Sequence, residues 1–436
     1  MGRGGSEHRA LRTGGVRGLV TEQAPAARAG WRSVSQLTVR DRLIAAARSP
    51  SLTWRAFLTS RLLVLLAGAG GVLTTTKHDG IAALLTLRQL GPVGNLLAGS
   101  ANRFDAGYYL AIAGHGYAAV GARGTAFYPL YPFSIRVLGF VTGSDVLAGM
   151  LISAVSFSAA LVVLHRLTEL ELGRAAADAT VLLMAFAPLT LFFTAVYTES
   201  LFLLLSVGTL LALRRERWML AGILAALAAL TRPTGILLAV PIAVAVIRRR
   251  RRLHRQILWS LTPPAAVGLY LVTLSAAGYP WMAPFQAEAS WHRLDVGPLV
   301  GFTAALVAAI KGAVAIVGNG ASIYHPTLLG PLGHGAESVL LFLLLLLCLA
   351  LLARCLRSLP LEYGAYAALA VAMCISSPQI GQPLTSFDRY TLTIVPLWMA
   401  AGAWVAKRGL QRPVVVVGSI LLVFYTVQFS SWSFIA

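Results

Sequence analysis

Long runs of apolar residues, separated by short polar connections, follow one another from Trp54 almost to the end of the sequence. A run of about 20 apolar residues crosses a bilayer as an α-helix, and a shorter run crosses where the membrane thins locally. The pattern predicts an all-α fold, a polytopic transmembrane helical bundle of about eleven spans, within a range of about nine to thirteen. The spans are expected near residues 54–76, 145–165, 176–196, 199–213, 218–232, 235–247, 257–277, 337–353, 361–377, 390–406 and 413–432.

Two further apolar segments are interpreted as interfacial. Residues 127–142 are short, contain Arg136 and are interrupted by prolines, and residues 298–317 lie inside a long connection. With this assignment the Arg-rich connections fall on one side of the membrane, which the positive-inside rule identifies as the cytoplasm. The N-terminus is then cytoplasmic and the C-terminus is outside. The basic residues placed in the cytoplasm are Arg166, Arg174, Arg214, Arg215, Arg217, Arg248 to Arg252, Arg255, Arg354, Arg357, Lys407, Arg408 and Arg412.

The first 54 residues differ from the rest of the chain. They are rich in Arg, Gly and Ala and contain no apolar stretch of the kind that a secretory signal peptide needs. We expect residues 1–54 to form a disordered, basic cytoplasmic tail. Residues 55–436 are expected to form the transmembrane domain, with outer loops at 77–142 and 278–336. Interfacial helices are expected in the first of these loops.

Composition supports the membrane assignment. Hydrophobic residues make up 57% of the chain and charged residues 12%, whereas a soluble domain carries about 25% charged residues. The net charge of +20 is explained by basic residues at the ends of apolar runs, and no nucleic-acid-binding motif is present. Nucleic acid is therefore not expected as a partner, and membrane lipid is.

No metal ion or nucleotide cofactor is expected. The three cysteines, Cys348, Cys355 and Cys374, lie in or beside apolar runs and show neither disulfide nor metal-ligand spacing. The histidines of the predicted outer side lack HxxH, HxxxH and HExxH spacing, and no Gly-rich nucleotide loop is present.

The segment RFDAGYYLAIAGHGYAAVGARGTAFYPLYP, residues 103–132, carries the clearest candidate chemistry. Asp105 is its lone carboxylate and is surrounded by aromatic residues. If the segment is helical, Phe104, Tyr108 and Ile112 share one apolar face, and Asp105 and Tyr109 point along its edge. Such a helix lies at a membrane surface with its carboxylate directed away from lipid. We interpret the segment as an active-site loop on the outer face; the alternative is a purely structural interfacial loop.

Other polar groups occur at the predicted outer ends of spans. Glu199 lies between two apolar runs, where a charge usually faces a cavity or a partner. Arg232 occupies a hairpin between two short spans, where it either binds substrate or only reaches the membrane surface. Asp388 and Arg389 either neutralise each other or offer Arg389 to an anion. The segment FQAEASWHR carries Glu288, Trp291, His292 and Arg293, as substrate contacts or as part of a surface turn.

The run RFDAGYYLAIAGHGY, followed by AFYPLYP, resembles the first outer loop of the PIG-V family, glycosylphosphatidylinositol mannosyltransferase II, and its bacterial relatives. This family belongs to the GT-C superfamily of membrane glycosyltransferases. The family pattern falls on residues 104–105, 108–109, 112–113, 116–117 and 128–132. Phe104 stands where the family usually has Trp, and the acid that follows is retained. Residues 188–200, residues 231–235 and the segment AEASWHR also look like the family, so the resemblance covers most of residues 55–410.

The resemblance implies a GT-C-like enzyme that transfers mannose from a polyprenyl-phosphate mannose on the outer face of the membrane. It implies Asp105 as the general base that accepts the proton of the acceptor hydroxyl. A phosphate ester is a good leaving group, so the paired carboxylates of glycoside hydrolases are not required. The further substrate-binding candidates are Arg232 and Arg389 for the phosphate, Glu199 for sugar hydroxyls or for orienting Asp105, Tyr109 and Tyr128 for the sugar subsite, and Arg103, Glu288 and His292.

Several alternatives stay open. The donor could carry another sugar, such as arabinose or glucose. From other classes, the protein could be a lipid or sugar transporter, although no internal repeat is evident, or a catalytically silent partner in a cell-envelope complex. The acceptor could be a glycolipid, a glycan or a protein. The Ala- and Arg-rich composition is typical of bacteria, so the glycolipid anchor used by eukaryotic members is not carried over.

Overall fold

The computed structural model of the protein describes residues 1, 39–74, 90–250, 254–319, 324–327, 330–433 and 435. The chain divides into two units, residues 1–49 and residues 50–436. Of the first unit the structure describes Met1 and a helical backbone from Val39 onward. The helix includes residues 39–54, which the sequence assigns to the disordered tail, because Ala and Arg there have high helix propensity. The remaining parts of the predicted tail and outer loops, residues 2–38, 77–89, 320–323 and 328–329, lie outside the described residues.

From residue 50 onward the second unit is built from α-helices that follow the apolar runs, and the first helix of the chain begins before it, at Val39. In the first half of the chain they are α1 (Val39–Thr74), α2 (Gly91–Gly99), α3 (Ala106–His115), α4 (Gly121–Gly124), α5 (Leu130–Thr142), α6 (Asp145–Leu172), α7 (Arg174–Phe186) and α8 (Glu199–Arg214). In the second half they are α9 (Trp218–Ala229), α10 (Ala239–Arg250), α11 (Thr262–Ala276), α12 (Ala283–Ala287), α13 (Pro298–Asn319), α14 (His334–Ser358), α15 (Leu361–Ser376), α16 (Phe387–Thr391), α17 (Val395–Arg408) and α18 (Gln411–Ser430). Short 3₁₀ helices lie at Tyr117–Ala119, Thr190–Phe193, Pro233–Leu238, Arg255–Leu261 and Glu288–Trp291. A small antiparallel hairpin, β1 (Tyr324–Thr327) and β2 (Gly330–Leu332), precedes α14.

Within the described residues, six helical segments are long and apolar enough to cross a membrane: Leu52–Thr74, Asp145–Leu172, Arg255–Ala276, Pro298–Gly318, His334–Ser358 and Gln411–Ser430. Shorter apolar helices lie at Leu130–Thr142, Trp218–Ala229 and Leu361–Ser376. The all-α, multi-pass architecture predicted from the sequence is therefore confirmed. The number of about eleven spans stays a prediction, because several predicted spans form helices shorter than the roughly 20 residues that a crossing needs.

The segment predicted to be interfacial at 298–317 forms the long helix α13. Its length and composition are those of a membrane-spanning helix, and Leu299, Val314 and Val317 are exposed along it. It packs against α14 and α15. This length and hydropathy do not support the interfacial interpretation, which rested on the position of the segment in a long connection and on the count of charges.

The other segment predicted to be interfacial, residues 127–142, forms α5. The helix begins at Leu130, directly after Pro129, and ends before Gly143, whose φ of 72° terminates it. Its 13 residues span about 20 Å, which is less than the hydrocarbon core of a bilayer. Phe133 and Phe140 are exposed, and the opposite face packs against α3 and α6.

Prolines shorten several predicted spans and create non-helical backbone within the bundle. α7 ends at Phe186, two residues before Pro188, and α9 ends at Ala229, shortly before Pro233. Proline lacks the amide hydrogen that a helix uses, and it disfavours helical dihedrals in the residue before it. Irregular backbone at membrane depth is tolerated where protein buries it or where it lines a cavity. These breaks therefore mark places at which the bundle can hold a polar site.

Helices α6, α7 and α8 form the centre of the bundle. α6 packs against α5, α7 and α8, and α7 also packs against α17 and α18. A Cβ at Gly402 of α17 would lie 2.0 Å from Thr180 Oγ1 of α7, so a larger residue would push these helices apart. Small residues at contacts of this kind allow membrane helices to approach closely.

A buried arginine ties α1 to the irregular backbone that follows α7. The Arg61 side chain is buried and donates hydrogen bonds to the carbonyl oxygens of Thr190 at 2.7 Å and Ala185 at 3.3 Å. It also donates to the hydroxyls of Thr194 at 2.9 Å and Thr190 at 3.2 Å. Its guanidinium lies 4.7 Å from the ring centroid of Phe157. Arg61 thus satisfies carbonyl groups that the end of α7 leaves without helical partners.

Candidate active site

A cavity of about 320 Å³ lies where α3, α8 and α16 begin. Its walls come from these helix starts, from the turns at residues 126–128 and 231–234, and from the connection between α11 and α13. The polar, charged and aromatic residues that line it are Asp105, Tyr109, Phe127, Tyr128, Thr198, Thr231, Arg232, Thr234, Phe285, Glu288, Trp291, Arg293, Asp295, Ser377, Gln379, Thr385, Ser386, Arg389 and Tyr390. The cavity therefore combines carboxylates, arginines and aromatic rings, which are the groups that bind anions and sugars.

A tight turn before α3 places Asp105. Phe104 has a φ of 51°, in the left-handed region that a bulky residue rarely adopts. Its ring packs against Phe429 and Trp432, with ring centroids 5.4 and 5.5 Å apart. Backbone conformations of this kind persist only where the surrounding structure holds them. The C-terminal end of α18 thus fixes the direction in which the chain delivers the carboxylate.

Tyr197, two residues before the start of α8, holds the same turn. Its hydroxyl donates to the carbonyl oxygen of Arg103 and accepts from the backbone N–H of Asp105, both at 3.1 Å. The Arg103 side chain turns away from the cavity: its Nε donates to the Ser430 carbonyl oxygen at 3.0 Å, and its guanidinium lies 4.4 Å from the Trp432 ring. Arg103 therefore anchors the turn, and Asp105 alone reaches the cavity.

Asp105 forms an ion pair with Arg389. The distance between Asp105 Oδ2 and Arg389 Nη1 is 2.8 Å, and the exposed side-chain fractions are 28% and 10%. Charge-assisted hydrogen bonds of this length are among the stronger polar contacts in proteins. The lining carboxylate that sequence analysis assigns as the base is thus held by a lining arginine.

Asp388 does not neutralise Arg389. Asp388 Oδ1 accepts the backbone N–H of Arg389 at 2.8 Å, while the guanidinium of Arg389 faces Asp105. Burial raises the pKa of Asp388 to about 7, although the Arg389 N–H opposes this effect. The sequence left open whether these neighbours pair with each other, and the structure separates their side chains.

Glu199 lies behind the cavity wall. Its side chain is only 1% exposed, and its Oε1 lies 2.5 Å from Arg232 Nη1 and 3.6 Å from Arg389 Nε. Arg232 Nη1 also donates to Thr198 Oγ1 at 3.3 Å. Within the described part of the chain, Glu199 Oε2 and Arg389 Nε have no hydrogen-bond partner. One oxygen of this buried carboxylate therefore faces two arginines, and its second oxygen accepts no hydrogen bond from the described residues.

Aromatic rings form one wall of the cavity. Tyr109 meets Phe127 edge-on with ring centroids 5.0 Å apart, and Phe127 lies 6.1 Å from Trp291. Tyr108 stacks on Phe127 at 4.5 Å. The Tyr109 hydroxyl lies 3.4 Å from Thr198 Oγ1, and burial raises the pKa of Tyr109, so the hydroxyl stays protonated. Such a wall offers both ring faces and a neutral hydroxyl to a sugar.

A second charged group lines the cavity on the connection between α12 and α13. Arg293 donates to the carbonyl oxygens of Ser377 at 3.2 Å and Thr385 at 3.0 Å. Its Nε lies 3.7 Å from Glu288 Oε2. Burial raises the pKa of Glu288, and the Arg293 charge opposes this. Asp295 accepts a hydrogen bond from the Ser377 hydroxyl. These contacts fasten the connection onto the segment after α15.

The structure brings most of the predicted site residues together. Asp105, Tyr109, Tyr128, Arg232, Glu288 and Arg389 line the cavity. Glu199 lies behind them, Arg103 contacts α18, and the exposed His292 is not a lining residue. Trp291 and Arg293 of the segment FQAEASWHR also line the cavity, as the substrate-contact interpretation of that segment predicted, whereas Asp295 was not proposed from the sequence. In the described ranges, no three His, Cys, Asp or Glu side chains form a group able to hold a metal ion.

The comparison with known families bears on the same segments. Residues 87–254, which include the Asp105 turn, Glu199 and Arg232, match the family described as Mannosyltransferase (PIG-V). Over these residues the chain is similar to the PIG-V mannosyltransferases. Together with its apolar helices, the match makes this PIG-V-like enzyme a multi-pass membrane protein. The resemblance seen in the sequence is confirmed. Among curated proteins, no sequence matches the chain.

Solved structures similar to this PIG-V-like enzyme include ArnT from Cupriavidus metallidurans bound to undecaprenyl phosphate, with 16% identity over 76% of this chain and 74% of that chain and a TM-score of 0.45. The Archaeoglobus fulgidus oligosaccharyltransferase in the apo form is 15% identical over 86% of this chain and 56% of that chain, with a TM-score of 0.42. The archaeal oligosaccharyltransferase AglB from Archaeoglobus fulgidus, in complex with an inhibitory peptide and a dolichol-phosphate, is 14% identical over 87% and 56%, also with a TM-score of 0.42. These TM-scores carry no argument on function, so the similarity to the PIG-V family rests on residues 87–254.

We predict that Tyr197→Phe lowers kcat of this PIG-V-like enzyme about tenfold and its free energy of unfolding by about 1–2 kcal/mol. The hydroxyl that joins Arg103 to Asp105 is lost, so the carboxylate is less well placed. Steady-state transfer kinetics and thermal unfolding of the purified protein measure the two effects. Tyr131→Phe is the matched control, because its buried hydroxyl contacts Gly149 and Ser153 rather than the turn that carries Asp105. Equal kcat values for the two variants would contradict the prediction.

Proposed function

We propose that this PIG-V-like enzyme transfers mannose, with inversion, from a polyprenyl-phosphate mannose to an acceptor hydroxyl on the outer face of the membrane. The observation that carries the proposal is a single cavity lined by the carboxylate of Asp105, by Arg389, which contacts it, and by Arg232, which shares Glu199 with Arg389. A carboxylate can take the proton of a hydroxyl, and guanidinium groups can stabilise a phosphate. The aromatic wall suits the sugar between them.

The proposed step is a single displacement at the anomeric carbon. Asp105 accepts the proton of the acceptor hydroxyl while the hydroxyl oxygen forms its bond to that carbon. The bond between the carbon and the phosphate oxygen breaks, and its electron pair leaves with the polyprenyl phosphate. Arg389 and Arg232 stabilise the negative charge that develops on this phosphate. Attack from the side opposite the leaving group inverts the configuration of the sugar.

The positions of charged residues support an outer location of the cavity. α8 starts beside the cavity at Glu199 and ends at Arg214, and α10 follows the Arg232 turn and ends at Arg250. A helix of 16 residues is about 24 Å long. The basic clusters thus lie at the helix ends remote from the cavity, which the positive-inside rule assigns to the cytoplasm.

The test uses purified protein in liposomes with labelled sugar donors and an extract of cell-envelope lipids, glycans and proteins as acceptors. We expect transfer from polyprenyl-phosphate mannose and none from GDP-mannose. Matched donors carrying glucose or arabinose on the same lipid phosphate measure the choice of sugar, and a higher kcat/KM for one of them would replace mannose in the proposal. Transfer only from the nucleotide sugar, or no transfer from any lipid-linked sugar, would contradict it.

A further inference from the structure

Arg389 lies between two carboxylates with different surroundings. It touches Asp105 at 2.8 Å, and its Nε lies 3.6 Å from Glu199 Oε1. Its Nε has no hydrogen-bond partner among the described residues, and neither does Glu199 Oε2. A buried donor or acceptor without a partner costs about 1–3 kcal/mol. While Arg389 is paired with Asp105, its Nε donor and the Glu199 Oε2 acceptor therefore make no hydrogen bond with the described residues.

The chemistry of the proposed transfer changes the charges on both sides of this arginine. When Asp105 accepts the acceptor proton, its carboxylate becomes neutral and its attraction for Arg389 weakens. When the bond to the sugar breaks, the electron pair adds one negative charge to the leaving phosphate. A negative charge thus passes from Asp105 to the phosphate in the step that transfers the sugar.

We propose that Arg389 couples these two events by moving from Asp105 to the leaving phosphate, with Glu199 as the residue that positions it. This inference rests on the proposed function. Before transfer, Arg389 holds the base. As Asp105 is protonated, Arg389 is released to the phosphate at the moment when the charge of the phosphate rises.

Glu199 serves as the fixed partner in this motion. It is almost fully buried, does not line the cavity, and is shared by Arg232 and Arg389. It keeps the two positive charges side by side whether or not Asp105 is ionised. Glu199 is therefore a positioning residue rather than a sugar ligand.

The experiment measures binding of a long-chain polyprenyl monophosphate, the product of the proposed transfer, to purified full-length variants. Asp105→Asn imitates the protonated base. We expect it to bind the lipid phosphate about tenfold more tightly than wild type, because Arg389 is no longer held by a carboxylate. In the double variant Asp105→Asn, Arg389→Gln the gain should be lost.

Asp295→Asn is the matched control. It removes a carboxylate from the same cavity, but that carboxylate contacts Ser377 rather than Arg389. An equal gain in this variant, or unchanged or weaker binding by Asp105→Asn, would overturn the coupling. Binding by wild type together with either of these results would leave the proposed donor class intact. Absence of binding by every variant would overturn the donor class and the coupling together.

Transfer kinetics test the role of Glu199. We expect Glu199→Gln to lower kcat about 10-fold to 100-fold without raising the donor KM, since both arginines remain but are no longer held together. Glu199→Asp should restore part of kcat. Thermal unfolding separates this effect from loss of folded protein. A wild-type kcat in Glu199→Gln, or a loss of activity that only follows the amount of folded protein, would overturn the positioning role.

Discussion

Replacing Asp105 by asparagine is expected to lower the rate of sugar transfer by about 10²–10⁴-fold, the usual contribution of a general base. Asparagine has nearly the same size, so the turn held by Tyr197 and Phe104 should persist. The variant can no longer take the acceptor proton, and it also loses the ion pair with Arg389. Labelled sugar transfer from the lipid-linked donor, measured with saturating donor and acceptor, gives the change in kcat.

Two variants sharpen this expectation. Asp295→Asn removes another carboxylate of the same cavity and should reduce kcat much less, because Asp295 does not contact Arg389. Asp105→Glu retains a base but moves it by one methylene, so it should keep more activity than Asp105→Asn. If Asp105→Asn transfers sugar at the wild-type rate, the base lies elsewhere in the cavity, and Glu288 is the next lining carboxylate to replace.

Replacing Arg61 by methionine is expected to lower the free energy of unfolding by about 2.5–9.5 kcal/mol. Two opposing effects decide whether this replacement stabilises or destabilises the protein. Removing a charge from a membrane helix gains about 2.5–3.5 kcal/mol on insertion scales. Losing hydrogen bonds from a charged donor costs about 1.5–3 kcal/mol for each bond, and Arg61 makes four to the backbone and hydroxyls around residues 185–194. The hydrogen bonds therefore outweigh the desolvation of the charge.

Thermal unfolding of the purified protein in detergent measures this effect. Arg55→Gln is the control, because Arg55 lies on the same helix and is exposed; its change should stay within about 0.5 kcal/mol. Arg61→Lys should be intermediate, since lysine keeps the charge but cannot reach all four acceptors. An Arg61→Met variant as stable as wild type would mean that the cost of burying the charge cancels the hydrogen bonds.

The sequence predicted the elements that depend on local hydrophobicity. Helices α6, α14 and α18 follow long uninterrupted apolar runs, so their existence could be inferred directly. The interfacial interpretation of residues 298–317 stays a prediction, because α13 is long and apolar enough to cross a membrane and the charges near it do not decide whether it does. The spans predicted to end near residues 196 and 232 form helices that end earlier, at Phe186 and Ala229. The prolines that follow these two residues are visible in the sequence.

Candidate residues were predicted better than their contacts. Asp105, Arg232 and Arg389 could be selected by residue type and by position at the ends of apolar runs. The ion pair between Asp105 and Arg389 could not be predicted. The two residues are 284 positions apart in the sequence and meet only through the packing of the helices that carry them. Arg103, next to Asp105 in sequence, faces α18 because the left-handed Phe104 turns the chain between them.

The contacts between the Asp105 turn and the end of α18 have a consequence for biosynthesis. Arg103 donates to Ser430, 327 positions later, and Phe104 packs against Phe429 and Trp432. A nascent chain therefore carries its carboxylate long before the residues that orient it have left the ribosome. Activity should arise only when the last helix has been inserted, so that partly synthesised chains in the membrane do not consume the lipid-linked donor.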